Sequence, residues 1–198
     1  ILVSGWGLNP ERDETENTMK WFTLLVGLSI TALTVHPSQA QASPRGIEGQ
    51  KAPEWAVSEW VQLQGKKAPT LKNSQGKVLY LFFFQSWCPG CHSHGFPTMA
   101  AVRTQVPNDQ VAFVAVQTVF EGHEVNTAER AVASVAQHGL DGIPIGHDVD
   151  PLGGPPSMMR LYRTGGTPWT VIIGPERRVC FDGFQIEPPS AAAIIGQL

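Results

Sequence analysis

The stretch from Val78 to His92 reads VLYLFFFQSWCPGCH, and it decides the fold. Its first seven residues are all apolar, which is typical of a strand that is covered on both faces, as in a parallel sheet. Cys88 and Cys91 come directly after this strand, and a helical pattern then continues to about residue 106 with a kink at Pro97. The sequence therefore predicts a buried strand that passes into a helix at a pair of cysteines.

This position has a chemical consequence for the two cysteines. The unpaired N–H groups at the start of a helix favour a thiolate, so we expect the pKa of Cys88 to fall below its ordinary value of about 8.5. Cys91, one turn later, is expected to be less exposed and close enough to attack a mixed disulfide on Cys88. Two cysteines at this spacing perform both steps of disulfide exchange, and we expect no cofactor and no bound metal.

Strand and helix patterns alternate along the rest of the chain. Strands are predicted at 60–63, 111–116 and 143–149, helices at 127–138, at 157–162 and from 190 onward, and a hairpin from 169–173 and 179–184. Alternating units that end in a hairpin indicate an α/β sandwich with a mixed sheet.

Two motifs carry a resemblance to a known family. Residues 76–91 resemble the strand and cysteine motif of the thioredoxin-like superfamily, and within it the exported TlpA-like and redoxin-like thiol-disulfide oxidoreductases. The family's second signature, a cis proline, is matched by Gly165-Gly166-Thr167-Pro168-Trp169. The resemblance covers about residues 54–198. It implies a thioredoxin-like three-layer sandwich, in which helices flank a central mixed β-sheet, and a protein-disulfide oxidoreductase activity.

The resemblance also implies roles and partners. Pro168 is expected to face Cys88, while the Thr167 backbone pairs with an extended substrate segment. Pro89, Gly90 and Trp87 are expected to tune the redox chemistry. The implied substrates are protein thiols and disulfides, with reductase as the favoured direction and a membrane electron donor as its source of electrons. We expect a monomer.

The chain departs from the family pattern at two positions. Cytosolic thioredoxins have a buried acid six residues before the first cysteine, where this chain has Phe82. The helix proline of relatives comes five residues after the second cysteine, whereas Pro97 comes six after Cys91. The first departure leaves no proton-relay carboxylate at that position, and the second predicts an altered first turn of the helix.

The N-terminal part of the chain indicates export. Residues 19–35 contain one lysine followed by a mostly apolar run, and small residues come next, which predicts a signal peptide cleaved after Ala40 or Ala42. The alternative is an uncleaved membrane anchor over 19–42. Residues 1–18 are then a leader upstream of Met19, 43–53 a linker, and 54–198 the thioredoxin-like domain. The expected location is the bacterial periplasm or the outer face of the cytoplasmic membrane.

Composition and charge exclude one class of partner. A formal net charge of −3 provides no broad positive field for nucleic acid.

Three other functions are alternatives to disulfide exchange. A haem c protein would use Cys88, Cys91 and His92. A copper carrier would use Cys88, Cys91, His92 and His94, with or without the distant His123 or His147. A thiol peroxidase would need Thr or Ser where this chain has Gln85. The third cysteine, Cys180, lies in an alternating strand pattern, which favours a small core residue over an exposed thiol.

Overall fold

A computed structural model describes residues 45–198, apart from residues 64, 66 and 108. The predicted leader at 1–18 and the predicted signal or anchor at 19–42 therefore lie outside the described residues. Within the described part, no helix combines the length and the apolar character that crossing a membrane requires.

The centre of the fold is a six-stranded mixed sheet. Its strands are β1 (Glu59–Gln62), β2 (Val78–Phe84), β3 (Val111–Val119), β4 (Ile145–Val149), β5 (Trp169–Ile173) and β6 (Val179–Gly183). They lie in the order β1-β4-β3-β2-β5-β6. Strands β2, β3 and β4 are parallel neighbours, while β1, β5 and β6 join the sheet antiparallel.

Helices cover both faces of this sheet. A π-turn at Cys91–Gly95 leads into α1 (Phe96–Gln105), and the other helices are α2 (Ala128–Gln137), α3 (Ser157–Tyr162) and α4 (Pro188–Ile195). One hydrophobic cluster joins α1, α2 and α4 to one face of the sheet, and a second cluster joins α3 to the other face. The predicted three-layer α/β sandwich with a mixed sheet is thereby confirmed.

Strand β2 is central because both of its faces are buried. Alternate side chains such as Tyr80 and Phe82 enter the first cluster, whereas Leu81 and Phe83 enter the second. All seven residues of β2 are buried, as the unbroken apolar run predicts. The cysteine motif directly follows this strand and therefore lies at one end of the sheet.

The prediction of a linker at 43–53 is wrong for residues 45–53, which the structure describes as part of the folded unit. Ile47 and Ala52 are buried, the Gly49 N–H donates to the Val179 carbonyl, and the Val179 N–H donates to the Gln50 carbonyl, both at 2.9 Å. The physical reason is that β6 is an edge strand, whose free backbone groups this segment pairs. The folded unit therefore begins before Glu54.

Candidate active site

Cys88 lies in the tight turn that joins β2 to the π-turn. Its N–H donates to the Gln85 carbonyl at 3.1 Å, and the Cys91 N–H lies 3.2 Å from Cys88 Sγ. The cysteine is 6% exposed, but its neighbours Trp87 and Pro89 are both exposed. The sulfur is therefore just beneath the surface, while Cys91 is completely buried.

The surroundings give the two thiols opposite acidities. A hydrogen bond from the Cys91 thiol, assisted by Thr167 and by the backbone N–H groups of Cys91 and Gly90, outweighs burial and lowers the pKa of Cys88 to about 6. Burial, together with the hydrogen bond to Cys88, raises the pKa of Cys91 far above its ordinary value. The sequence attributes the acidity of Cys88 to helix N–H groups, whereas the neighbouring thiol has the larger effect here. The arrangement suits a thiolate nucleophile beside a protonated partner.

A measurable pH dependence follows from this asymmetry. In the reduced protein, the thiolate absorbance of Cys88 near 240 nm is expected to appear with a midpoint near pH 6. Below that midpoint, the rate of exchange is expected to fall about tenfold for each pH unit, because only the thiolate attacks. The Cys88→Ser variant is the control, and a midpoint of 8 or above in the unmodified chain would contradict the geometry.

Thr167 and Pro168 adjoin the cysteine motif, although they come almost eighty residues later. The peptide bond between them is cis. A methyl group placed on Gly90 would lie 3.2 Å from Pro168 Cδ, and Thr167 contributes to the lowered pKa of Cys88. The structure thus brings together the two motifs that the sequence singles out.

The altered first turn predicted from the position of Pro97 takes the form of a π-turn. It spans Cys91–Gly95, and Pro97 falls in the first turn of α1. A π-turn accommodates one extra residue within a helix, so the later proline still starts a regular helix. A methyl group on Gly95 would lie 2.4 Å from Phe82 Cζ and 3.0 Å from Pro168 Cβ. The residue that replaces the family's buried acid therefore packs directly beneath this turn.

Replacing Gly95 with alanine is expected to lower the free energy of unfolding by about 1–3 kcal/mol, since Phe82 is buried and has no room to move. Chemical denaturation measures this change. Gly196→Ala, at an exposed helix end with an ordinary φ of −68°, is the matched control and is expected to change stability by less than about 0.5 kcal/mol. Adding Phe82→Leu to Gly95→Ala should restore part of the loss. Equal stability of the Gly95 and Gly196 variants would refute the tight packing.

The histidines after Cys91 have specific partners. His92 Nε2 lies 2.8 Å from the Ser86 carbonyl oxygen, and His92 Nδ1 lies 3.0 Å from His138 Nε2. Because a carbonyl oxygen only accepts, His92 Nε2 carries a hydrogen. Burial, with a smaller effect of His92, lowers the pKa of His138. His92 thereby links the turn before Cys88 to His138 at the end of α2.

The residues named for the three alternative functions have the following surroundings in the structure. Throughout residues 45–198, leaving aside the three undescribed positions, no three His, Cys, Asp or Glu side chains are grouped to hold a metal ion. Cys91 is completely buried, whereas a haem c thioether requires both sulfurs to reach the haem. Gln85, at the position of the peroxidase Thr or Ser, has its side-chain oxygen bonded to Asn126 and Trp87.

The sequence did not predict that Gln85 and Asn126 belong to the site. Both side chains are buried, and Asn126 Nδ2 donates to Gln85 Oε1 at 2.9 Å. Asn126 lies in the loop after β3, so no local pattern relates it to the cysteine motif. The only signal in the sequence is a polar residue, Gln85, directly after the apolar strand and two residues before Trp87.

Solved structures of other proteins resemble this chain over most of its length. One is the crystal structure of SPOA0173, a thioredoxin-like superfamily protein, with 32% identity, a TM-score of 0.68, and coverage of 75% of this chain and 95% of that one. A thiol-disulfide isomerase from Corynebacterium glutamicum has 29% identity, a TM-score of 0.65, and coverage of 74% and 96%. A secreted disulfide oxidoreductase of Mycobacterium tuberculosis, homologous to E. coli DsbE, has 18% identity, a TM-score of 0.50, and coverage of 64% and 86%; this last likeness concerns the fold alone. Neither family models nor curated proteins give a match to the sequence.

The fold, the site and these neighbours define a thiol-disulfide oxidoreductase of the thioredoxin type. With 32% identity to a member over 95% of that member's length, the chain belongs to the thioredoxin-like superfamily.

Proposed function

We propose that the protein exchanges disulfides with cysteines of other proteins through Cys88 and Cys91. The Cys88 thiolate attacks a substrate disulfide, so that a Cys88–substrate disulfide forms and one substrate thiolate leaves. Cys91 then gives up its proton and attacks Cys88 Sγ, which forms the Cys88–Cys91 disulfide and releases the second substrate thiolate. The substrate gains the two electrons that the cysteine pair loses. The observation that carries this proposal is the position of Cys88 Sγ, which lies just beneath the surface, 3.2 Å from the Cys91 N–H. The lowered pKa of Cys88 agrees with this position.

In this proposal, the residues around the two sulfurs bind the substrate and set the redox potential. Thr167 and Pro168 receive an extended segment of the substrate beside Cys88, with recognition of main chain rather than of sequence. Trp87, of which 47% is exposed, adds apolar contact area at the rim. Pro89 and Gly90 separate the cysteines and set the redox potential within a range of about −270 to −120 mV.

The favoured direction is reduction of substrate disulfides, with electrons supplied by a membrane donor. A first-cysteine pKa of about 6 lies between the values of about 7 and about 3.5 that accompany reducing and strongly oxidising members of the fold. A potential between those of the two extremes is therefore expected. Equilibration with glutathione buffers measures it, and a value near −120 mV would assign the protein to the oxidants instead.

We further propose that the protein acts as an exported monomer. The mostly apolar run within residues 19–35 and the small residues that follow it support export, with a cleaved signal or a retained anchor. A fold neighbour is a secreted oxidoreductase. The bacterial periplasm, or the outer face of the cytoplasmic membrane, supplies the protein thiols and the electron donor that the proposal needs.

Reduction of insulin by dithiothreitol tests the activity, because insulin is a disulfide-bonded protein and the assay does not require the natural substrate to be known. The protein is expected to shorten the lag before the freed chains precipitate. The result that would overturn the proposal is a lag equal to that of dithiothreitol alone in the presence of fully reduced protein.

A further inference from the structure

Gln85 contacts the turn that carries the two cysteines. Its carbonyl accepts from the Cys88 N–H at 3.1 Å, and the Cys88 carbonyl in turn accepts from the Cys91 N–H at 3.1 Å. The residue is completely buried and directly follows the last residue of β2. A displacement of the Gln85 backbone therefore also displaces the turn that carries Cys88 and Cys91.

The side chain of Gln85 is fixed by a second buried amide. Asn126 Nδ2 donates to Gln85 Oε1 at 2.9 Å, and the Trp87 indole N–H donates to the same oxygen at 3.3 Å. Asn126 Oδ1 accepts from the Ser86 backbone N–H at 2.7 Å. One carboxamide thus binds two successive residues of the turn that leads to Cys88.

Asn126 is itself anchored to its own loop. Its Nδ2 also lies 3.0 Å from the Glu121 carbonyl and 3.1 Å from the Gly122 carbonyl. Gln85 Nε2 is buried without a partner, so the bonds that Gln85 Oε1 accepts are the ones that fix its side chain. Loss of a buried bond of this kind is costly, and the bond to Asn126 therefore favours one arrangement of the segments it joins. The loop after β3 is thereby tied to the turn after β2.

We infer that Gln85 and Asn126 form a positioning pair that fixes the turn before Cys88, and with it both active-site sulfurs. The inference rests on the proposed role of those sulfurs. Neither amide touches a substrate in this scheme. The pair acts by keeping the Cys88 sulfur within reach of its hydrogen-bond donors, which include the Cys91 thiol.

The test compares three variants of the full chain, Gln85→Met, Asn126→Ala and the combination, by the pH midpoint of the Cys88 thiolate. Each single substitution is expected to raise this midpoint by about one pH unit, because one lost hydrogen bond corresponds to roughly a tenfold change in an equilibrium constant. The combined variant is expected to shift little further, since residues that act as a pair are not additive. The matched control is Thr118→Val, which removes a buried hydroxyl from the end of β3 that precedes the Asn126 loop. The pH midpoint of the Cys88 thiolate is expected to stay unchanged in this variant.

Failure of this inference can be distinguished from failure of the proposed disulfide exchange. The midpoint is measured on reduced protein without a substrate, so it reports positioning even if insulin is not reduced. Unchanged midpoints in folded Gln85→Met and Asn126→Ala, or an equal shift in Thr118→Val, would overturn the inference. Fully additive shifts would overturn the pairing. Should Asn126→Ala not fold, the near-isosteric Gln85→Met decides alone, and an unshifted midpoint in that variant overturns the inference.

Discussion

Replacing Cys88 with serine is expected to reduce disulfide exchange by at least about three orders of magnitude, because a serine hydroxyl stays protonated and forms no disulfide. The fold should be kept, since serine is close to cysteine in size. Insulin reduction measures the loss, and circular dichroism verifies the fold. The Cys180→Ser variant is the matched control and is expected to retain full activity, since the Cys180 thiol lies on β6 and donates to the Arg178 carbonyl. Appreciable exchange by folded Cys88→Ser protein would remove Cys88 from the mechanism.

Replacing Cys91 with serine is expected to trap the mixed disulfide, whereas the Cys88 variant forms none. Cys88 can still attack, but the mixed disulfide has no internal thiol to resolve it, so the substrate stays attached. Multiple turnover should stop while a covalent complex accumulates, visible as a non-reducing gel band that dithiothreitol removes. Loss of the hydrogen bond from the Cys91 thiol should also raise the pKa of Cys88, because that bond is the main cause of its acidity.

Expressed in a cell with an oxidising envelope, the same variant identifies the natural partner. The trapped protein can be released by reductant and sequenced. No complex in Cys91→Ser protein, together with unimpaired turnover, would show that Cys91 does not resolve the intermediate.

The sequence was sufficient for the centre of the fold. An unbroken apolar run marks β2 as a strand covered on both faces, and the change to a helical pattern after Cys91 places the cysteines at the end of that strand. The spacing of Pro97 predicted a disturbed turn, and the π-turn at Cys91–Gly95 is that disturbance. Its form depends on Phe82 and Pro168 packing against Gly95, which no local pattern encodes.

Two other features lay beyond sequence reasoning for different reasons. Residues 46–52 contain turn-forming residues without periodicity, yet they pair with the edge of β6 through backbone groups and bury Ile47. Hydrogen bonds between backbone groups do not require particular side chains, so the sequence does not reveal them. The contact between Gln85 and Asn126 joins residues 41 positions apart, and only the parallel pairing of β2 with β3 brings them together.

The most direct test of the central claim is selective alkylation of the reduced protein. Less than one equivalent of iodoacetamide at pH 7 is applied to the chain with all three cysteines reduced, and peptides are analysed by mass spectrometry. We expect the adduct on Cys88, because its thiol has a lowered pKa and lies next to the surface. Modification of Cys91 or Cys180 ahead of Cys88 would contradict the assignment of Cys88 as the nucleophile.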